Sequence, residues 1–169
     1  NHGTPHNGVA LRSDRFGNQA KAYDLQGTGY FQVSDHDSLD INSTESLTVS
    51  AWIKSTGNGR QMILTKEHST TVNGRYPTYF LNLHESGRPA GFVAQDRTPL
   101  QTVVYHDASS LTDGQWHHLA GVLDKTNNMS LLYVNGQMVA STTQAQSFSN
   151  GQSSAMTTAN LGSLENDGD

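Results

Sequence analysis

Hydrophobic and polar residues alternate along much of this chain with the two-residue period of a β-strand. The clearest case is residues 46–55, SLTVSAWIKS, in which every second residue from Leu47 to Ile53 is apolar. Trp52 stands in the otherwise polar set of positions. Because successive side chains of a strand point to opposite faces of a sheet, this pattern predicts a strand with one apolar face.

Other short runs of strand-forming residues follow, separated by turn residues. Asn135-Gly136 is the strongest turn signal, because both residues tolerate the positive φ of a two-residue hairpin loop. A second hairpin is predicted around Ser86-Gly87-Arg88. The remaining strand candidates are residues 21–26, 30–34, 61–67, 78–86, 89–96, 100–107, 115–124, 129–136 and 158–163, and residues 133–141 contain the Asn135-Gly136 hairpin.

Helical periodicity is nearly absent from the chain, and this decides the predicted fold class. Many short strands separated by turns are typical of an antiparallel β-sandwich or jelly roll. Residues 141–158 are rich in Ser, Thr and Gln and are predicted to form a long surface loop. The length of 169 residues suits a single domain, 1–169, with a sizeable core.

The composition excludes several classes of function. The formal net charge of −5 argues against a nucleic-acid-binding surface, which needs a basic patch. The chain has no cysteine, so it has neither disulfides nor thiolate chemistry. No apolar stretch approaches the length of a transmembrane helix, so no membrane span is expected.

The most conspicuous polar pair is His117-His118, which follows Trp116 in the stretch DGQWHHLAGVLD. Two adjacent histidines suggest a metal site or acid–base chemistry. On a regular strand, however, they point to opposite faces and cannot reach one metal ion together. We therefore interpret the stretch as a structural strand and predict that Trp116 fills the core.

Four segments carry a family resemblance. RFGNQAKAYDLQGTGYFQV, SLTVSAWIKS, WHHLAGVLD and MSLLYVNGQMVAS occur in this order and together resemble the LamG-like jelly-roll domains. These domains belong to the concanavalin A-like lectin/glucanase superfamily and are related to laminin G and pentraxin domains. The resemblance covers about residues 1–163 and implies an all-β, antiparallel sandwich of the concanavalin A-like type.

The chain departs from this family in two places. Members usually continue after the acidic turn with a strand that pairs near the N-terminal strand, whereas this sequence ends at Asp169. We therefore expect either a truncated domain or another chain that supplies the closing strand, because an open sheet edge would otherwise be exposed. Gln26 also replaces the aspartate of the family's FDG motif, and Asp24 lies two residues earlier.

The acidic end LGSLENDGD resembles the pentraxin stretch in which an acidic residue, an amide and an aspartate coordinate calcium. The match implies Glu165, Asn166 and Asp167 as Ca²⁺ ligands, with Asn58 from the corresponding partner loop. Calcium binds about six to eight oxygen atoms from carboxylates, amides and carbonyls, so these residue types suit it. The alternative is a solvated acidic turn, because the acidic residue expected in the partner loop is absent.

A second acidic segment, SDHDSLD, places Asp35, Asp37 and Asp40 in one loop. Its beginning resembles an EF-hand loop, but the glycine and the distant glutamate of that motif do not follow. We favour a surface turn and keep a calcium loop as the alternative.

Two segments, residues 68–77 and 94–107, contain the side chains best suited to bind a sugar. Aromatic rings stack on the CH faces of sugars, and planar polar groups form paired hydrogen bonds with hydroxyls. The alternative is that these are half-buried residues without a ligand. The candidates are Arg75, Tyr76, Asp96, Arg97, Tyr105 and His106.

These observations favour a non-catalytic, calcium-assisted binding module of a larger secreted enzyme or adhesin, with a glycan or a protein surface as ligand. The alternatives are a glycan-cleaving enzyme on the same fold and a structural spacer, since fold alone does not separate them. The E-x-D-x-D spacing at Glu165, Asp167 and Asp169 resembles that of a glucanase relative. Asn166 and Gly168 are poor strand residues, however, and the final glutamate is missing.

Overall fold

The computed structural model describes seven stretches of the chain. They are residues 2–41, 45–57, 59–70, 74–84, 89–90, 110–143 and 159–161. For residues 67–70, 74–78, 89–90 and 159–161 it describes the backbone alone.

Strands dominate these stretches, which also contain one 3₁₀ helix, Asp37–Leu39. The strands are β1 (Gly3–His6), β2 (Ala10–Arg12), β3 (Ala22–Asp24), β4 (Tyr30–Val33), β5 (Leu47–Lys54), β6 (Gln61–Thr70), β7 (Gly74–Leu83), β8 (Pro89–Ala90), β9 (Trp116–Asp124), β10 (Met129–Val134), β11 (Gln137–Thr143) and β12 (Ala159–Leu161).

The strands assemble into two main sheets and a small ribbon. A six-stranded sheet has the order β1-β4-β12-β6-β7-β8, a four-stranded sheet has the order β11-β10-β9-β5, and β2 pairs with β3. Every pairing among the described strands is antiparallel. The antiparallel all-β architecture predicted from the strand pattern is therefore confirmed.

The hydrophobic core lies between the two main sheets. Leu81 and Leu83 of β7 pack in one cluster with Leu119 of β9 and Leu132 of β10, and all four side chains are at most 1% exposed. Each buried leucine contributes about 1.5–3 kcal/mol relative to an exposed one. Burial thus fixes which face of each sheet is inner and which is outer.

The strand 47–54 follows its predicted alternation. Its exposure switches at every residue, and the apolar members Val49 and Ile53 pack against the core. Trp52 lies on the opposite, outer face and is 44% exposed. A large aromatic side chain therefore occupies a position that the rest of the strand gives to polar residues.

Both predicted hairpins are present. Asn135 and Gly136 join β10 to β11 with φ values of 51° and 81°, the left-handed backbone that this turn requires. Strands β7 and β8 pair through Asn82 with Ala90 and Leu83 with Pro89, across the predicted turn. The short strand 159–161 lies within its predicted range and pairs with β4 and β6.

Three features differ from the sequence predictions. Trp116 does not fill the core: it lies opposite Lys54 on the outer face of the four-stranded sheet and is half-buried. Strand β11 continues to Thr143, so its last three residues lie in the predicted surface loop 141–158. Strands β1 and β2 were missed, because GTPH and ALR are too short to show a period.

Candidate functional site

The two adjacent histidines point to opposite faces of β9, as predicted. His117 is paired with Ile53, an inner residue, whereas His118 is paired with the outer residue Trp52. Within the described stretches, no group of three or more histidine, aspartate or glutamate side chains is arranged to hold a metal ion. The pair thus forms no joint metal site.

His117 links a loop to a hairpin turn. Its Nε2 lies 3.0 Å from Asp113 Oδ1, and its Nδ1 lies 3.1 Å from Asn135 Nδ2. The Asn135 amide donates through Nδ2, and its Oδ1 accepts the backbone N–H of His118 at 2.9 Å. His117 Nδ1 is then the acceptor from Asn135, and Nε2 faces the Asp113 carboxylate as a donor.

This network closes the β10–β11 turn onto β9. The Asn135 backbone N–H donates to the His118 carbonyl oxygen at 2.8 Å, beside the side-chain contact in the reverse direction. Asp113 also accepts the Gln115 N–H, and these contacts hold the pKa of Asp113 below its usual value of 3.8. The side chains of Asp113, His117 and Asn135 are therefore all hydrogen-bonded to one another or to backbone groups, which gives His117 of the WHH motif a structural role.

The acidic segment 34–40 surrounds a lysine. Lys66 of β6 is only 1% exposed, and its Nζ donates to Asp40 Oδ1 at 2.7 Å and to Asp35 Oδ1 at 3.1 Å. The Tyr79 hydroxyl donates to the Leu39 carbonyl oxygen at 2.9 Å, and burial together with the charge of Asp40 raises the pKa of Tyr79 to about 12. A protein ammonium group thus occupies the position between these carboxylates.

Lys66 argues against the alternative interpretation of this segment as a calcium-binding loop, because its ammonium group lies where the cation would bind. Two of its three aspartates neutralise Lys66, which leaves them unsuited to a divalent cation. The ion pairs hold the segment at the edge of the core. The favoured interpretation as a surface turn therefore stands, with the addition that buried Lys66 holds the turn in place.

An exposed aromatic–cation cluster lies on the outer face of the four-stranded sheet. The Arg15 guanidinium carbon is 4.2 Å from the centroid of the Phe16 ring and 4.3 Å from that of the Trp52 ring. The Trp52 and His118 rings are 5.2 Å apart. Phe16 is 72% exposed. We refer to Arg15, Phe16 and Trp52 as the aromatic–arginine cluster.

A rigid turn holds Arg15 and Phe16 in this cluster. Asp14 Oδ1 accepts the backbone N–H groups of Phe16 and Asn18 at 2.8 and 2.9 Å, and its Oδ2 accepts the Asn18 amide at 3.0 Å. Gly17, with φ +84°, provides the left-handed residue of the turn. The carboxylate hydrogen bonds lower the pKa of Asp14, so the turn is held by a charged acceptor at neutral pH.

The site residues predicted from the sequence lie almost entirely beyond the described stretches. Arg75 and Tyr76 belong to β7 by their backbone, and their side chains are not described. The other ligand-binding and calcium candidates remain predictions. They are Asp96, Arg97, Tyr105, His106, Asn58, Glu165, Asn166 and Asp167, all outside the described residues.

The aromatic–arginine cluster was missed as a site by sequence reasoning. Arg15 and Trp52 are far apart in the chain, and nothing local predicts their contact. One signal was present: Trp52 interrupts the polar set of positions in an otherwise regular alternating strand. A large aromatic residue on the outer face of a sheet is a mark of an interaction surface.

Comparisons with solved structures show the same fold in domains of a sialidase, an arabinanase and a laminin. The CBM40 domain of a Ruminococcus gnavus IT-sialidase shares 19% identity over 70% of this chain and 64% of its own, with a TM-score of 0.57. Domain 4 of an extracellular GH43 arabinanase from Geobacillus stearothermophilus, in complex with arabinotriose, shares 19% identity over 95% and 73%, with a TM-score of 0.58. Domains LG4-5 of mouse laminin α1 share 20% identity over 79% and 32%, with a TM-score of 0.55.

The partial coverage and the low sequence identity of these matches limit the conclusion to the fold. The chain spans less than two thirds of the CBM40 chain and about a third of the laminin chain. No curated protein matches the chain. At these identities the structural likeness shows the fold, a concanavalin A-like jelly roll, and not the ligand.

The family itself is shown by a match of the sequence to a family model. A laminin G model, described as the concanavalin A-like lectin/glucanases superfamily, matches residues 25–168. This range includes the four-stranded sheet, every strand of the six-stranded sheet except β1, and the WHH and VNG motifs of the resemblance. The chain therefore belongs to the laminin G branch of the concanavalin A-like lectin/glucanases superfamily.

Proposed function

We propose that this domain is a non-catalytic carbohydrate-binding module that acts outside the cell as part of a larger protein. The observation that carries the proposal is the aromatic–arginine cluster, a rigid and solvent-exposed group of rings beside a cation. Aromatic rings provide stacking surfaces for sugars at low entropic cost when they are held in place before binding.

The structural neighbours support this ligand class and this location. One of them is a CBM40 domain of a sialidase, and another is a domain of an extracellular arabinanase in complex with arabinotriose. A CBM40 domain of the same sialidase is also known in complex with sialyllactose. Within the described residues, no helix has the length and apolar character needed to cross a membrane.

The described carboxylates favour binding over cleavage. Glycoside hydrolysis uses two carboxyl groups that flank an open bond-cleavage site, one of them able to donate a proton. Asp35 and Asp40 are the described carboxylates that converge on one group, and that group is the Lys66 ammonium. Both form ion pairs with this buried ammonium group at the edge of the core.

A binding assay combined with a cleavage assay tests the proposed function. The purified domain is run in native gels containing a panel of soluble plant, microbial and animal polysaccharides, and the same mixtures are assayed for new reducing ends. We expect retarded migration in at least one polysaccharide without release of reducing sugar. Release of reducing ends would assign the chain to the glycan-cleaving alternative, and unchanged migration throughout the panel would favour the structural spacer.

Calcium assistance remains part of the proposal. Its candidate ligands Glu165, Asn166, Asp167 and Asn58 are oxygen donors of the type that calcium prefers. A ligand that binds the folded state alone stabilises it, so the melting temperature should rise with added CaCl₂ and fall in EDTA. Asp167→Asn should abolish that response, whereas Asp37→Asn, in the segment anchored by Lys66, should retain it. Identical melting curves with and without calcium would remove the ion from the proposal.

A further inference from the structure

We propose that the aromatic–arginine cluster is a subsite for an acidic saccharide, that is, a sugar ring that bears a carboxylate or a sulfate. This inference rests on the proposed carbohydrate-binding function and names the ligand class. It is drawn from the position of one guanidinium group over two rings, the exposure of those rings and the charge around them.

The Arg15 guanidinium lies over two aromatic rings. Its carbon is 4.2 Å from the centroid of the Phe16 ring and 4.3 Å from that of the Trp52 ring, distances at which a ring attracts a cation. Among the residues that the structure describes, no hydrogen bond or ion pair involves Arg15. Its N–H donors lie in the plane of the group, in the fork that binds a carboxylate or a sulfate through two parallel hydrogen bonds.

The position of Arg15 is fixed before any ligand arrives. The Asp14 carboxylate accepts two backbone N–H groups of the turn, and the neighbouring Phe16 ring supports the guanidinium from one side. A flexible arginine loses rotamer freedom when it binds an anion, and the two ring contacts of Arg15 reduce that cost by restricting the side chain beforehand.

The exposed rings explain why the anion belongs to a sugar. Phe16 is 72% exposed at the tip of a rigid turn, where a polar residue would cost less in contact with water. Trp52 keeps 44% of its surface exposed even with Arg15 stacked on it. A pyranose ring offers a CH face to such rings and, when it bears an acid, an anion to the adjacent guanidinium.

The local charge around the cluster complements an anion. Lys54 lies two residues from Trp52 on the same outer face of β5, a separation of about 7 Å along a strand. The Asp14 carboxylate interacts with the charge of Arg15, but its oxygens already accept hydrogen bonds from Phe16 and Asn18. Arg15 and Lys54 place positive charge on this face of a chain whose net charge is −5, which favours an acidic ligand there over a basic one.

Matched pairs of saccharides separate the charge from the sugar skeleton. Trigalacturonate is compared with its methyl ester, which keeps the ring and removes the carboxylate charge. A sulfated dextran oligosaccharide is compared with unsulfated dextran of the same length. Isothermal titration calorimetry should show binding to the charged member of at least one pair, and the preferred pair distinguishes a carboxylate from a sulfate ligand.

Four variants locate the binding to the cluster. Arg15→Gln should weaken binding of the acidic probe by roughly 10- to 100-fold, the range expected when charge-assisted hydrogen bonds are lost. Arg15→Lys should give an intermediate loss, because it keeps the charge without the planar fork. Phe16→Ala should weaken binding by removing the stacking ring. Arg60→Gln, which removes an exposed arginine between β5 and β6, is the matched control and should bind normally.

Circular dichroism of each variant establishes that it is folded, and the outcomes are then distinct. Equal losses in the Arg15→Gln and Arg60→Gln variants would overturn the subsite, since net charge alone would explain them. Equal binding of the charged and uncharged members in both pairs would also overturn it while leaving carbohydrate binding intact. Binding of no saccharide, acidic or neutral, would overturn the subsite and the proposed function together.

Discussion

At the scale of single residues, two polar side chains hold parts of this domain that hydrophobic burial alone would leave loose. Asn135 satisfies two backbone groups of the neighbouring strand's His118 and donates to His117. Lys66 holds the segment 34–40 against the sandwich through two carboxylates. Both side chains act between elements that are distant in sequence, so both are expected to influence stability more than their polar character suggests.

Asn135 is expected to be sensitive both to loss of its amide and to a change of backbone preference. Asn135→Ala removes the hydrogen bonds to His117 and His118 and places a residue that disfavours positive φ at a φ of 51°. We expect a loss of about 2–3 kcal/mol in the free energy of unfolding, measured in urea. Asn135→Gly also removes the side-chain hydrogen bonds but tolerates the φ, so it should lose less. Equal losses would show that the positive φ contributes nothing, and an unchanged stability of Asn135→Gly would show that the side-chain network contributes nothing.

The buried ion pair predicts an asymmetry between its partners. Asp40→Asn leaves the Lys66 ammonium, which is 1% exposed, with a weaker partner and should destabilise the fold by about 3 kcal/mol. Lys66→Met removes the buried charge and keeps much of the side-chain volume, and the two aspartates remain partly exposed. It should therefore cost less than Asp40→Asn. The reverse order in chemical denaturation would contradict a desolvated ammonium as the controlling group.

At the scale of the strands, the period of the sequence predicts alternation but does not always predict which set of residues faces inward. Strand β5 is unambiguous, because its apolar residues all belong to one set. In β9 both sets are apolar: Trp116, Ala120 and Val122 alternate with Leu119 and Leu123. The structure places the leucines inside, and the hairpin turn with its network on β9 fixes that register.

Truncation of Leu119 and of Trp116, two apolar side chains of β9, should therefore destabilise the domain to different extents. Leu119 is fully buried, so Leu119→Ala should destabilise the domain by about 2–5 kcal/mol. Trp116 is half-buried on the outer face, and Trp116→Ala should cost about 1–2 kcal/mol, less than the smaller leucine. Denaturant titrations of the two variants compare these losses. A larger loss for Trp116 would place it in the core after all.

At the scale of the whole molecule, local signals predicted the architecture and long-range contacts made the candidate site. Alternation and the Asn135-Gly136 turn sufficed for the antiparallel sandwich, because strand and hairpin preferences act between neighbours in sequence. Lys66 meets carboxylates 26 and 31 residues away, and Arg15 meets Trp52 across the outer face of a sheet. Such pairings depend on how the sheets and loops assemble, so the alternating pattern does not contain them.

The stability of the whole domain should fall at both ends of the pH range, for opposite reasons. Hydrogen bonds lower the pKa values of Asp14, Asp113 and Asp124 from 3.8 in the folded state. A lowered pKa contributes stability that is present above about pH 4 and is lost as the pH falls through the folded-state values. Tyr79 has the opposite sign: its pKa is raised to about 12, so its contribution is complete below the unfolded value of 10.0 and is lost as the pH rises from there.

Two variants separate the loss of stability at acid pH from the loss at alkaline pH. Their free energies of unfolding are measured by urea titration across the pH range. Asp14→Asn combined with Asp113→Asn should make the decline below about pH 4 shallower, because two carboxylates no longer bind protons on unfolding. Tyr79→Phe should flatten the decline above about pH 10 and leave the decline at acid pH unchanged, since among the described residues Tyr79 is the tyrosine whose pKa is raised. If Tyr79→Phe altered the decline at acid pH as well, its hydroxyl contact with Leu39 would be coupled to the Asp40–Lys66 pair, and the two ends of the profile would share one structural origin.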